Sequence, residues 1–238
     1  MEGTDGLIVF PSRAAITARL AELVALRLEA SIAERGRALF AASGGSTPKP
    51  LYEALSAADI DWTRVDATLI DERWVEPGAP GSNETFVRET LLKNNAANAS
   101  FTGLKTDHAD PFAAVQSVDA ALDAFDFPID VAVMGMGADG HTASWFPHAE
   151  GLDTALDPAG SAKAVAVRAQ KSEVTGDFLD RMTLTLPAIA SAKLVVLMMT
   201  GANKREAFEA ALAGDDENDM PVRALLRAAP NLWACWAP

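Results

Sequence analysis

The chain has 238 residues, of which 49% are hydrophobic and 22% are charged, and its formal net charge at pH 7 is −13. This composition is typical of a globular protein with a substantial core, so it excludes a disordered chain. The negative charge argues against non-specific binding to nucleic acid or to an anionic membrane surface, because both need a basic surface. We expect a single α/β domain over residues 1–238.

Strands and helices are predicted to alternate along almost the whole chain. Short apolar runs predict strands at 7–10, 37–42, 67–70, 129–134, 164–167, 182–186, 193–199 and 232–236. Helical patterns follow the caps Ser12 and Thr47–Pro48 and lie at 82–92, 110–125, 204–213 and 221–228. Strands that alternate with helices imply crossover connections, so we expect a mainly parallel sheet with helices on both faces.

Neither a secretory leader nor a membrane span is expected. The first residues, Met1–Asp5, are acidic where a leader begins with basic residues, and no apolar stretch approaches the ~20 residues of a membrane span. The single cysteine, Cys235, lies between Trp233 and Trp236, which predicts a packing role. We therefore expect a cytoplasmic enzyme or binding protein, either a monomer or a weak homodimer.

The most informative segment is Gly135-Met136-Gly137-Ala138-Asp139-Gly140-His141. An apolar run at 129–134 leads into glycines that bracket one carboxylate and one imidazole. Ligands of open α/β sheets bind at the carboxyl ends of strands, and glycine lets the backbone approach them closely. Asp139 and His141 are therefore a candidate base and its orienting partner. The alternative is an ordinary turn whose histidine faces solvent or caps a helix.

A second glycine loop, Ser43-Gly44-Gly45-Ser46-Thr47-Pro48, follows the predicted second strand and opens a helix. Its glycines leave space, its hydroxyls donate, and the free N–H groups of a helix start point toward the same place, as in a phosphate cradle. The segment lacks the Gly-Lys-Ser/Thr of a P-loop. The alternative is a plain turn with a threonine cap.

Three further cations are candidates for binding an anion. Asp71-Glu72-Arg73-Trp74 is predicted to end the third strand, where Asp71 and Arg73 share a face and Glu72 points away. Arg181 precedes the predicted strand at 182–186. The alternative for Arg73 is a surface ion pair. The alternative for Arg181 is a surface arginine without a functional role.

Lys204 is the third of these cations. Asn203 and Glu206 have the spacing of a capping box, which places Lys204 in the first turn of a helix. A cation there opposes the helix dipole by ~0.3–1 kcal/mol. A cation placed against this preference of the first helical turn is typical of a functional site.

The remaining polar residues are predicted to be structural or solvated. His108 and His148 are expected in surface loops, and the acidic run 215–219 is expected to be solvated. Trp145 and Phe146 are predicted to pack beneath the His141 loop. The sequence has neither the Cys/His spacing of a zinc site nor a nucleophile motif.

Several of these segments together resemble the 6-phosphogluconolactonases, the lactone hydrolases of the pentose phosphate pathway. They are Ser43–Pro48, Asp71–Val75, Gly135–Ser144 and Arg181–Pro187, with Gly201–Lys204 adding the expected lysine. The resemblance covers the chain from about residue 8 to its end. It implies a Rossmann-like α/β fold shared with glucosamine-6-phosphate deaminases and ribose-5-phosphate isomerases. It also implies a reaction without metal or cofactor.

The resemblance further implies roles for the candidate residues. His141 is the general base that activates water, and Asp139 orients the imidazole or contacts the sugar. The Gly44–Thr47 loop, Asp71 and the cations Arg73, Arg181 and Lys204 hold the phosphate and hydroxyls. Two features depart from the family pattern: Trp145 replaces a leucine, and 171–176 lacks a proline pair, which leaves open whether Lys171 takes part.

Two alternatives remain. Aminosugar-phosphate deaminases resemble this chain in both glycine segments, but their histidine is followed by an Asn-Glu-Pro triplet, whereas Thr142–Pro147 here offers no carboxylate for ring opening. A sugar-phosphate sensor is the alternative from another class. Such regulators carry a helix-turn-helix module and a basic face, whereas this acidic chain begins its first predicted strand at Leu7.

Overall fold

A computed structural model describes residues 6–238 of the chain. The acidic start, Met1–Asp5, on which the expectation of no leader depends, lies outside the described residues. Within 6–238, no helix combines the length and the apolar character needed to cross a membrane.

Residues 6–238 contain ten strands and eight α-helices. The strands are β1 (Leu7–Val9), β2 (Ala38–Ala42), β3 (Val65–Leu69), β4 (Asp71–Arg73), β5 (Ser100–Thr102), β6 (Val131–Met134), β7 (Ala164–Arg168), β8 (Asp180–Leu184), β9 (Val195–Thr200) and β10 (Leu232–Ala237). The helices are α1 (Arg13–Arg35), α2 (Lys49–Ser56), α3 (Asn83–Thr90), α4 (Pro111–Leu122), α5 (Leu152–Leu156), α6 (Leu186–Ala190), α7 (Ala202–Ala213) and α8 (Val222–Ala228).

The central sheet has seven strands in the order β1-β10-β9-β6-β2-β3-β5, and all its pairings are parallel. The predicted mainly parallel sheet flanked by helices is confirmed. Strands β2, β6 and β9 are consecutive partners at its centre and are buried along almost their whole length. Their carboxyl ends therefore bring the loops after residues 42, 134 and 200 to one edge.

A second, antiparallel sheet of order β4-β8-β7 was not predicted. The interpretation of Asp71–Trp74 as the end of the third strand is wrong, because the chain changes sheets at Ile70. The Ile70 N–H still donates to Ala42 of the parallel sheet, but its carbonyl accepts from Leu184 of β8. β4 then pairs with β8 only, in the register Arg73 opposite Arg181.

Several predicted boundaries also differ. The proposed Thr47 cap is wrong, because α2 begins after Pro48 with no side-chain cap, and Asn203 is no cap because it lies inside α7. The strand predicted at 182–186 ends at Leu184, since the Thr185 side chain caps α6 instead. The caps of α1 are as predicted: the Ser12 side chain accepts from a backbone N–H of the first turn, and Gly36 adopts a left-handed φ of 82°.

A fully buried carboxylate holds the start of β6 in place. Asp130 accepts hydrogen bonds from Ser31 Oγ at 2.6 Å, from Arg35 Nη2 at 2.6 and 2.7 Å, and from the Leu39 N–H at 2.7 Å. These contacts join α1, β2 and β6, which fixes the strand leading to the Gly135–His141 loop.

Cys235 is buried in β10, as its neighbours predict, and burial raises the pKa of its thiol to about 12. In the unfolded chain the pKa of the thiol is ~8.5. The native thiol therefore stays protonated while the unfolded thiol ionises, so the free energy of unfolding falls as pH rises from about 9 to about 12, by at most ~1.4 kcal/mol per pH unit.

We expect native protein to resist alkylation by iodoacetamide and to be labelled fully in denaturant, as followed by mass spectrometry. The Cys235→Ala variant is the control for both measurements. It has no thiol to label, and its free energy of unfolding should lose this part of the alkaline pH dependence. Rapid labelling under native conditions would contradict the buried thiol.

Candidate active site

A cleft of about 300 Å³ opens at the carboxyl edge of the central sheet. Its floor comes from β9 and from the loops after β2 and β6, and β4 and β8 of the small sheet form one wall. Nine of the ten predicted site residues line it: Gly44, Gly45, Ser46, Thr47, Asp71, Arg73, His141, Arg181 and Lys204. The tenth, Asp139, does not line the cleft. It is hydrogen-bonded to His141, which does.

The Gly135–His141 loop is closed on itself by backbone hydrogen bonds. The Gly137 N–H donates to the His141 carbonyl at 2.8 Å, and the Gly140 N–H donates to the Gly137 carbonyl at 3.2 Å. The Gly140 carbonyl in turn accepts from the Val222 N–H at 2.9 Å, which fastens the loop to α8. These hydrogen bonds fix the backbone that carries the two titratable side chains, Asp139 and His141.

His141 and Asp139 form a hydrogen-bonded pair. The His141 Nδ1 atom lies 2.6 Å from Asp139 Oδ1, and the imidazole stacks on Phe146 with ring centroids 4.4 Å apart. Burial acts to raise the pKa of Asp139, but the hydrogen bond and charge of His141 outweigh it and leave that pKa below its usual value. An ionised Asp139 accepts from Nδ1–H, so Nε2 is the nitrogen with a free lone pair.

Gly137 is required beside this pair for steric reasons. A Cβ atom on Gly137 would lie 2.0 Å from His141 Nδ1 and 2.1 Å from Asp139 Oδ1. Any side chain at this position would therefore separate the imidazole from the carboxylate. The glycine is explained by close approach, since its φ lies outside the left-handed region.

Two arginines face each other across the small sheet. Arg181 lies inside β8 directly opposite Arg73 of β4, and it is only 3% exposed, so the surface-arginine interpretation is wrong. Burial lowers the pKa of Arg181 to about 10. The charge of Asp71 acts to raise this pKa, and the charge of Arg73 acts to lower it further. Like charges on facing strand residues are destabilising. Their placement on one cleft wall therefore favours an anionic ligand.

The arginine side chains are held by backbone carbonyls. Arg181 Nε donates to Phe178 O at 2.7 Å, and its guanidinium lies 5.1 Å from the ring centre of Phe146, the same ring that stacks on His141. Arg73 Nη1 donates to Gly81 O at 2.6 Å. Both guanidinium groups therefore keep further donors for a ligand.

Lys204 lies in the first turn of α7, as predicted, and lines the cleft near the His141 loop. Burial lowers the pKa of its ammonium group, and the charge of Asp139 acts to raise it. Three cations thus line the cleft of a protein whose net charge is −13. This local positive charge is what an anionic ligand needs in order to approach.

Asp71 is held by residues that sequence reasoning missed. Its Oδ2 accepts from Ser144 Oγ at 2.6 Å, and its carbonyl accepts from Asn83 Nδ2 at 2.8 Å. Ser43 and Asn83 also line the cleft. Asn83 is recognisable only as the first residue after the Ser82 helix cap, a signal for a helix start and not for a site.

Glu72 points away from the cleft, as the alternation along a strand predicts. It is buried beneath the start of α3 and accepts from the backbone N–H groups of Arg73, Asn83 and Glu84. Burial raises the pKa of Glu72 to about 7, and these backbone hydrogen bonds act in the opposite direction. Glu72 therefore fixes the start of α3 against β4.

Other candidate polar residues lie elsewhere. His108 and His148 are exposed, the latter 3.2 Å from Asp219, and neither lines the cleft. Lys171 pairs with Asp177 at 2.8 Å and does not line the cleft either. Across residues 6–238, no three His, Cys, Asp or Glu side chains are grouped so that they hold a metal ion.

Comparison with known proteins identifies the family. The family model described as glucosamine-6-phosphate isomerases/6-phosphogluconolactonase matches residues 11–234. The chain belongs to this family. A 6-phosphogluconolactonase of Pseudomonas aeruginosa is 43% identical over 223 residues, which cover 94% of this chain and 92% of the relative. A 6-phosphogluconolactonase of Rhizobium meliloti is 41% identical over 233 residues, which cover 97% of this chain and 97% of the relative.

Solved structures of the family have the same fold. The crystal structure of a 6-phosphogluconolactonase from Shewanella baltica superimposes with a TM-score of 0.92 at 38% identity, with 100% of both chains covered. A monomeric glucosamine-6-phosphate deaminase superimposes with a TM-score of 0.78 at 15% identity, which shows the shared fold alone. The Rossmann-like fold that the motifs imply is therefore confirmed.

Proposed function

We propose that this protein hydrolyses 6-phospho-D-glucono-1,5-lactone to 6-phospho-D-gluconate, a step of the oxidative branch of the pentose phosphate pathway. The observation that carries the proposal is the placement of the hydrogen-bonded Asp139–His141 pair in one cleft with Arg73, Arg181 and Lys204. The names of the curated relatives support it. Because it acts on a lactone, the enzyme is a carboxylic ester hydrolase.

His141 is the proposed general base. Its Nε2 takes a proton from a water molecule as the water oxygen attacks the lactone carbonyl carbon. The tetrahedral oxyanion then collapses, the bond from that carbon to the ring oxygen breaks, and the imidazolium returns the proton to the ring oxygen. Asp139 stabilises the imidazolium and holds the ring in the orientation that exposes Nε2.

The cations and the glycine loop are the proposed substrate clamp. Arg73, Arg181 and Lys204, with the N–H and hydroxyl groups of Gly44–Thr47, hold the phosphate and hydroxyls. Asp71 accepts from sugar hydroxyls. The same positive charge stabilises the oxyanion as it develops.

The proposed reaction uses neither metal nor cofactor. A lactone is an activated ester, so a positioned base and oxyanion donors suffice for hydrolysis without a covalent nucleophile. We further infer a single-domain cytoplasmic enzyme that acts as a monomer or weak homodimer, with a small sugar-phosphate lactone as its partner and without nucleic acid or membrane.

The decisive measurement is a lactonase assay on purified protein, corrected for spontaneous opening. We expect rapid opening of the phosphorylated lactone and a kcat/KM roughly a hundredfold lower for glucono-1,5-lactone, because two charge-assisted contacts of ~1.5 kcal/mol each are lost. Glucosamine 6-phosphate should release no ammonia. Ammonia release, or tight sugar-phosphate binding without turnover, would contradict the proposal and favour the deaminase or the sensor.

A further inference from the structure

Three buried polar atoms on the cleft wall lack a hydrogen-bond partner among residues 6–238: Ser43 Oγ, Arg73 Nε and Asn83 Oδ1. A buried polar atom left unpaired is costly, and most such atoms in native proteins are paired. Their concentration in one cleft therefore indicates that a ligand supplies the missing partners. Arg73 already belongs to the anion clamp, whereas no substrate contact has been assigned to the side chains of Asn83 and Ser43.

The side-chain amide of Asn83 is held in one orientation. Its Nδ2 donates to the Asp71 carbonyl at 2.8 Å and to Asp71 Oδ1 at 3.3 Å. Its backbone N–H donates to Glu72 at 2.7 Å, and the residue is only 2% exposed. Both ends of the residue are thus fixed, so Oδ1 points away from Asp71.

Oδ1 is directed at the backbone of the glycine loop. A Cβ atom on Gly44 would lie 1.9 Å from Asn83 Oδ1, so this approach requires glycine at position 44. The adjacent residue of the loop, Ser43, carries the second unpaired oxygen. Asn83 and Ser43 therefore place two buried, unpaired oxygens in the lining of the cleft, and Asn83 lies against Asp71.

An amide oxygen only accepts hydrogen bonds, so its ligand must be a donor. Phosphate oxygens are acceptors at neutral pH, and the neighbouring carboxylate repels them as well. We propose that Asn83 Oδ1 accepts a hydrogen bond from a ring hydroxyl of the lactone, which makes Asn83 a specificity-determining residue of this enzyme. This inference rests on the proposed lactonase function, because it assigns the hydroxyl-reading side of the same cleft.

The test combines substitution with substrate analogues. The kcat/KM of wild type and of Asn83→Ala is measured on 6-phosphoglucono-1,5-lactone and on its 2-, 3- and 4-deoxy analogues. Wild type should lose about ten- to hundredfold on one analogue, the usual effect of an unpaired buried group. Asn83→Ala should lose a similar factor on the parent lactone and nothing further on that one analogue, since the two changes remove the same contact.

A purely structural role predicts one of two other patterns. Asn83→Ala lowers kcat/KM by the same factor on all four substrates, or, because Asn83 holds Asp71, it loses discrimination against the same analogue as Asp71→Asn does. Either result would overturn the inference. The matched control is Thr90→Val in the same helix, whose hydroxyl donates to Phe86 O, and it should keep wild-type discrimination. Asn83→Ser keeps a donor for Asp71 but removes the amide oxygen, so it should show the same pattern as Asn83→Ala and covers the case in which the alanine variant does not fold.

The outcomes separate this inference from the proposed function. A wild-type enzyme that opens the parent lactone but does not discriminate against any deoxy analogue overturns the role of Asn83 and leaves the lactonase function standing. A wild-type protein that opens none of the four lactones overturns both.

Discussion

Replacing His141 with alanine is expected to lower kcat for lactone opening by about 10²–10⁴-fold, the usual contribution of a positioned general base. The imidazole is the only side chain of the loop that lines the cleft with a free basic nitrogen. Without it, water must attack without transferring its proton to the protein. KM should change much less, because the cations and the glycine loop that bind the substrate remain.

The measurement is the initial rate of acid release in a weakly buffered assay, with the spontaneous rate subtracted. His148→Ala is the matched control, because His148 is also paired with a carboxylate but is exposed and outside the cleft. Both variants should keep the wild-type unfolding midpoint, since neither imidazole belongs to the core. An unaltered rate in His141→Ala would remove His141 from the mechanism.

Replacing Gly137 with alanine should lower kcat by about 10²-fold, the usual cost of displacing a reacting group by ~1 Å. The added methyl group would lie 2.0 Å from His141 Nδ1 and 2.1 Å from Asp139 Oδ1, far inside van der Waals contact. One of the two side chains must therefore move, and their 2.6 Å hydrogen bond cannot persist. The rate is measured as for His141→Ala.

A neighbouring glycine offers the matched comparison. A Cβ atom on Gly135 would have only Met198 O within reach, at 4.0 Å, so Gly135→Ala should lose far less activity. Adding Gly137→Ala to His141→Ala should cost little further, because both changes disable the same pair. Additive losses in the double variant, or full activity in Gly137→Ala, would show that the dyad geometry does not limit the rate.

Local patterns were sufficient for most of the central sheet and for the loops that carry chemistry. The apolar run before Gly135 marks a buried strand, and its abrupt end in glycines marks the loop at the sheet edge. The cap of α1 at Ser12 and its end at Gly36 were likewise recognisable, because the signals for a helix start and stop lie within a few residues. The predicted ends of strands were wrong where pairing between distant strands decides them. One example is Ile70, whose carbonyl accepts from the Leu184 N–H of the second sheet.

By itself, then, the sequence determined the mainly parallel fold, the two glycine loops and the candidate residues that carry charge, since each depends on residue types and spacings along a short stretch. Only the tertiary structure decided that Arg73 faces Arg181, that Ser144 and Asn83 hold Asp71, and that Asn83 turns an unpaired oxygen toward Gly44. These contacts join positions from 12 to 108 residues apart. Such pairs leave no periodic trace in the chain, because their partners meet only through strand order and the packing of the second sheet on the first.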